Sequence, residues 1–142
     1  MNARYKETND IREIIDAIRI RVEVFIKEQG CEPGWEPDED DKKARQFIAL
    51  DGKKVIATAR VIKRKNGEFK IERMVVIKEY RRRGIGKMLL NHIVACIRGP
   101  KTKRIWGQSQ ERAMGFFEKS GFGAVSKTYD LYGIRHIDME LQ

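Results

Sequence analysis

Several features that would have fixed the class of this chain are missing from it. No apolar run approaches the ~20 residues a membrane span needs. The opening stretch MNARYKETNDIREII is too polar for the hydrophobic core of a secretory leader. A membrane span is excluded and a cytoplasmic location is expected. Cysteine is scarce: Cys31 and Cys96 lack the clustered spacing of a metal site, so neither a disulfide framework nor a bound metal is expected. Cys96 falls within an apolar helical pattern and reads as a buried thiol. Aromatic residues form 8% of the chain and are not spaced as a platform for stacking bases. Two of the three prolines lie between residues 28 and 41, where apolar periodicity fades, and that stretch reads as a loop holding at most a short helix.

What is present suits one soluble domain over residues 1–142, long enough to bury a core without staples. Thirty Lys and Arg oppose twenty-one Asp and Glu, a net charge of +9 that attracts polyanions. A nucleic-acid-binding domain is therefore one reading, although no DNA or RNA motif accompanies the charge. A protein that holds a phosphorylated cofactor needs a positive site as well.

Apolar residues at three- and four-residue steps (Ile11, Ile14, Ile15, Ile18, Val22, Phe25, Ile26) predict a helix over 10–28. Asp10 and Glu13 are placed as a capping box at its start. Strands 47–50, 55–62 and 69–77 flank Asp51-Gly52 and Asn66-Gly67, dipeptides that favour tight hairpin turns, so the three form an antiparallel meander. A second helix begins near Arg83 and stops at Gly99-Pro100, with His92 on its apolar stripe and read as core. A strand over 104–108, a helix over 111–119 and two closing strands, one of them 134–141, complete an α/β order.

The most informative stretch runs from Met74 to Leu90. A hydrophobic strand enters a basic, glycine-containing turn that opens a helix, so backbone N–H groups and the helix N-terminus can converge on an anion. The stretch resembles the R/Q-x-x-G-x-G/A signature of the GNAT superfamily of N-acetyltransferases, with Arg81, Gly84 and Gly86 on its defining positions. Downstream, residues 110–122 (QERAMGFFEKSGF) resemble the family's N/Q-x-x-A-x-x-F-Y-x-x-x-G-F block, and the segments IRVEVFIKEQG and GIRHIDM resemble its prokaryotic ElaA-like subgroup.

That resemblance implies a mixed, mostly antiparallel twisted sheet of six to seven strands flanked by helices. It implies acetyl-CoA as cosubstrate, with pantetheine pairing along Met74, Val75, Val76 and Ile77 like an added strand. The pyrophosphate is then held around Arg81, Arg82, Arg83, Gly84, Ile85, Gly86 and Lys87, and Gln110 and Phe117 lie beside the pantetheine arm. Acetyl transfer to a primary amine needs a base, and Glu72, Glu28 and His136 are the candidates. Glu72 is placed on the same strand face as Met74 and Val76. The family's frequent tyrosine acid is replaced here by Phe117, leaving Tyr129 and Tyr132 as donors. The same replacement admits a CoA-binding regulatory module without catalysis. The acidic run at 36–41 could draw a cationic acceptor. The acceptor's identity and a homodimer are both left open.

Overall fold

The structure, a computed structural model, describes residues 2–142. Its elements are β1 (Arg4–Thr8), α1 (Ile11–Arg21), β2 (Arg45–Asp51), β3 (Lys54–Lys63), β4 (Glu68–Val76), α2 (Ile85–Ile97), β5 (Arg104–Gln110), α3 (Met114–Glu118), β6 (Phe122–Ala124), β7 (Tyr129–Leu131) and β8 (Ile134–Leu141). They form one mixed sheet in the order β1-β2-β3-β4-β5-β8-β6, with β7 also on β8. Every pairing is antiparallel except β4 with β5.

The expected meander is β2–β4. Asn66 and Gly67 both take the positive φ their dipeptide favours, 60° and 76°, whereas at the first turn only Gly52 does (59°) and Asp51 stays paired in β2. The sheet has more strands than the sequence suggested. β1 was not expected because Arg-Tyr-Lys-Glu-Thr is largely polar, as suits an edge strand with one partner. The closing part holds three strands, two of only three residues each.

Both faces of the sheet are covered. On β2, Phe47 and Ala49 join the core that includes Leu89, Leu90, Ile93 and Ile97 of α2, whereas Ile48 and Leu50 pack with Ala17 of α1. A strand between two helical layers reads as a continuous apolar run rather than an alternation. The buried residues of α2 follow the step Ile85, Leu89, Ile93, Ile97, which leaves Cys96 outside the stripe. Cys96 is exposed rather than a buried thiol, and half-buried His92 contacts its Sγ at 3.6 Å.

The N-terminus of α1 is half of the expected capping box. The Asp10 carboxylate accepts from the N–H groups of Arg12 and Glu13, but Glu13 turns to the Thr8 hydroxyl and to Lys6 instead. Past Arg21 the helix continues as a π-helical segment, Val22–Glu28. Its wider turns end with Gln29 bonded to the Val24 carbonyl, and so deliver Glu28 and Gln29 to the sheet's open middle.

Candidate active site

β4 and β5 pair only at Glu68, Phe69 and Lys70 with Arg104, Ile105 and Trp106. Beyond those residues the strands part. A Cβ on Gly107 would meet the Ile71 carbonyl at 2.7 Å, so glycine permits the close contact at the fork. Between the parted strands lies a cleft of about 530 Å³, lined by Met74, Val75 and Val76 on one side and by Gln108, Ser109, Gln110 and Phe117 on the other. Ile77 lies outside it: its side chain joins the core and its N–H bonds the Ile56 carbonyl. The stretch of β4 that opens onto the cleft therefore ends at Val76, one residue before the end of the expected cofactor strand.

β4 leads directly into the basic turn. Arg82 and Gly84 have left-handed φ of 62° and 78°, and α2 begins at Ile85 without a side-chain cap. Among the described residues, none of the backbone N–H groups from Arg82 to Lys87 donates to a protein acceptor. Alternating-handed backbone followed by a helix N-terminus is a ready anion cradle. Arg82, Arg83 and Lys87 extend into solvent around it, and Ile85 contributes backbone only because its side chain is buried. Arg81 has a different task. Its Nε donates to the Val76 carbonyl at 2.8 Å and its remaining nitrogens grip Glu28 at 2.8 and 3.0 Å, so it braces the cleft mouth and its charge is already matched. At Gly86 a Cβ would point at the Phe116 ring (3.1 Å) and Val76 (3.5 Å), so glycine there also permits close packing of α2 on its neighbours.

Midway along β4 the register slips. Arg60 faces Glu72 while Thr58 faces Val75, so β4 takes three steps where β3 takes two, and Arg73 sits at φ 56°. This bulge reverses the side-chain alternation. Met74 and Val76 pack toward the main core, Val75 packs with Val24 and Phe25, and Glu72 points away from Met74 and Val76 rather than with them. Glu72 is also fully engaged. Its Oε1 accepts from Arg60 (2.9 and 3.1 Å) and its Oε2 from Lys70 at 2.7 Å. Burial acts to raise its pKa, but Lys70 and Arg60 outweigh that and hold the carboxyl below the ordinary glutamate value. A carboxylate so stabilised as the anion is a poor proton acceptor. Glu28 is likewise held below its usual range by Arg81.

His136, on β8 opposite Gln110, is buried and lines the cleft. Its Nδ1 lies 2.8 Å from the Ile134 carbonyl. A carbonyl can only accept, so Nδ1 carries a proton, and of the two neutral tautomers this contact selects the one whose lone pair is on Nε2. The tyrosines fit the donor role poorly. Burial and the bond from its hydroxyl to Asp138 push Tyr129 up to about 12, and Tyr132 is 68% exposed with its ring edge-on to Trp35.

The acidic loop does not present its charge to the cleft. Glu36 and Asp41 bind buried Arg21, Asp38 and Asp41 bind buried Arg60, and Arg73 pairs with Glu36 and Asp38 while lying 3.7 Å above the Trp35 ring. Only Glu39 and Asp40 of the run stand in solvent. Two lining features had no local signal in the sequence. One is Trp35, and the other is the bond from Gln110 Nε2 to Gln29 Oε1 at 2.9 Å, which joins the end of β5 to the end of the π-helical segment.

With this geometry in view, the comparisons with known proteins decide the family. The family model described as an acetyltransferase (GNAT) domain matches residues 12–142. The chain belongs to the GNAT acetyltransferase family. A Bacillus subtilis protein named only provisionally as an acetyltransferase is 33% identical over 143 residues, covering 96% of this chain and 95% of its own length. ElaA of Escherichia coli is 25% identical over 134 residues, 91% of this chain and 87% of its own. The crystal structure of ElaA superposes with a TM-score of 0.88 over 99% of this chain and all of ElaA. A GNAT acetyltransferase from Elizabethkingia anophelis, solved with acetyl-CoA bound, shares the fold at a TM-score of 0.71 and 12% identity, covering 99% of this chain and 98% of its own. The mixed sheet flanked by helices is the GNAT fold. No helix among the described residues is long and apolar enough to cross a membrane.

Proposed function

We propose that this GNAT protein acts as one domain over residues 1–142 and moves an acetyl group from acetyl-CoA to a primary amine of a small molecule or protein. One observation carries the reading: a parted strand whose backbone faces a cleft runs straight into six consecutive N–H groups that have no protein acceptor among the described residues. Pantetheine would lie along Met74–Val76, and the pyrophosphate would take the N–H groups of residues 82–87. The Elizabethkingia relative with acetyl-CoA bound supports the same cofactor.

In the transfer, the amine lone pair attacks the thioester carbon, the C–S bond breaks, and CoA leaves as thiolate. The proton released by the attacking nitrogen goes to Nε2 of His136, which can return it to the sulfur or to water. Phe117 packs beside the arm without a hydroxyl to offer. Glu72 and Glu28 hold the walls. His136→Gln is expected to keep acetyl-CoA binding and to lose about 10²–10⁴-fold in rate, with Glu72→Gln and Glu28→Gln measured beside it. A His136→Gln pH–rate profile that matches the parent's would assign the base elsewhere. Phe117 also favours a second reading, a CoA-binding module without turnover. Acetyl-CoA stabilisation of the fold without thiol release from any amine would establish that one.

A further inference from the structure

The acceptor side of the cleft narrows the choice of amine, on the premise that the acetyltransferase reading holds. Two carboxylates line the cleft, and both are spent: Glu28 on Arg81, and Glu72 on Lys70 and Arg60. Lys70, Arg73, Arg81 and Arg112 line it as well. Arg112 donates its Nε to the side-chain oxygen Oε1 of Gln110 at 2.9 Å, and among the described residues no carboxylate pairs with it. The nearby carboxylates of the acidic loop, Glu36 and Asp38, are taken by Arg21, Arg60 and Arg73. An acceptor's reacting nitrogen loses its charge before attack. A second ammonium would keep its charge, find no free counter-charge, and face Arg73 and Arg112. The remaining wall is apolar: Val24, Phe25, Trp35 and Leu131 line it. The rings of Phe25 and Tyr132 stand edge-on to Trp35 at 4.9 and 5.6 Å.

We propose that the acceptor is a monoamine with an apolar, ring-sized body, of the arylalkylamine class, and that polycationic amines are poor substrates. The test uses the full chain, with acetyl-CoA stabilisation of the fold measured first. Thiol release is then followed with phenethylamine, spermidine and kanamycin. The expected kcat/KM for phenethylamine exceeds either polycation by about tenfold or more, the scale set by one unscreened charge contact. Arg112→Glu gives the wall a free carboxylate from an exposed position and should shrink that ratio several-fold. Equal or faster turnover of spermidine or kanamycin would overturn the proposal, as would a ratio unmoved by Arg112→Glu. A chain that acetyl-CoA stabilises but that acetylates none of the three amines would overturn it too. Absence of any stabilisation by acetyl-CoA would instead remove the acetyltransferase reading, and this inference with it.

Discussion

Residues 36–41 hold the densest negative charge in the chain and residues 81–87 a dense positive charge, yet the two segments use charge in opposite ways. The acidic segment folds inward. Glu36, Asp38 and Asp41, with Glu72, meet Arg21, Arg60, Arg73 and Lys70, four charges of each sign on a set of mostly buried side chains. The basic turn folds outward, with Arg82, Arg83 and Lys87 in solvent and its backbone donors unmatched. A balanced cluster spends its electrostatics on holding the loop and the bulge at Arg73 in place. An unbalanced turn leaves its electrostatics open, as the pyrophosphate site proposed for it requires. A run of charge in a sequence says little about partners until its counter-charges are located.

Unbalancing the cluster should have the largest effect. Arg60→Ala leaves Asp38, Asp41 and Glu72 without their shared cation, and removing one partner from a buried set typically costs about 3–5 kcal/mol. Urea unfolding should show that loss, whereas Arg83→Ala in the turn should show almost none. Equal losses for the two would mean that the cluster is no more structural than the turn.

The complementary break is at the turn. Gly86→Asp should weaken acetyl-CoA by roughly 10–100-fold, an order set by placing a carboxylate near a bound anion at a helix N-terminus. The new Cβ also presses on Phe116, so Gly86→Ala is the control that carries the steric part alone. Calorimetric titration separates them: the charge account fails if Ala weakens binding as much as Asp.

Acid offers a milder test of the cluster. Burial acts to raise the Asp41 pKa, but Arg21 and the Asp38 N–H overcome it and bring the group down to about 2 from an ordinary 3.8. A depressed carboxylate adds stability above its unfolded pKa and loses it as pH falls through the folded value. Asp41 should thus contribute about 2 kcal/mol that fades between pH 4 and pH 2, and Asp38 and Glu72 shift in the same direction. Unfolding free energies at pH 5, 3.5 and 2.5 would show a steeper decline for the parent than for Asp41→Asn. Parallel declines would place the acid sensitivity elsewhere.

How far the sequence revealed all this depends on whether each signal was local. The strand, basic turn and helix from residue 74 onward could be read because Gly84, Gly86 and the apolar step of α2 lie within a few turns of one another. The hairpin turns were legible for the same reason. The bulge at Arg73 was not, since nothing in Ile-Glu-Arg-Met marks an extra residue, and one extra residue turned Glu72 to the opposite face from the one expected. The fate of the acidic loop was equally hidden. Asp38 finds Arg60 across 22 positions and Glu36 finds Arg21 across 15, pairings that only the tertiary fold makes. Cys96 fell on the wrong side because the helix buries a four-residue step that passes beside it.

The smallest expected effect asks whether the turn works through its side chains or its backbone. Arg82 is a non-glycine residue at φ 62°, a conformation that costs an L-residue about 1 kcal/mol and costs glycine almost nothing. Arg82→Gly should therefore leave the fold as stable as the parent, the relief of the turn offsetting the extra freedom glycine gives the unfolded chain. Its N–H donor stays in place. The lost guanidinium is exposed, and an exposed ionic contact is worth about 0–1 kcal/mol, so acetyl-CoA affinity should fall no more than about fivefold at low salt. Salt should erase most of that gap, because charges in solvent are screened beyond about 8 Å at physiological ionic strength. Titrations at 20 mM and 300 mM salt, run beside Gly86→Asp, give the answer. If Arg82→Gly binds a hundredfold more weakly and the deficit survives high salt, the phosphates are gripped by the arginine side chain itself, and the turn resembles the acidic cluster more than the contrast between them allows.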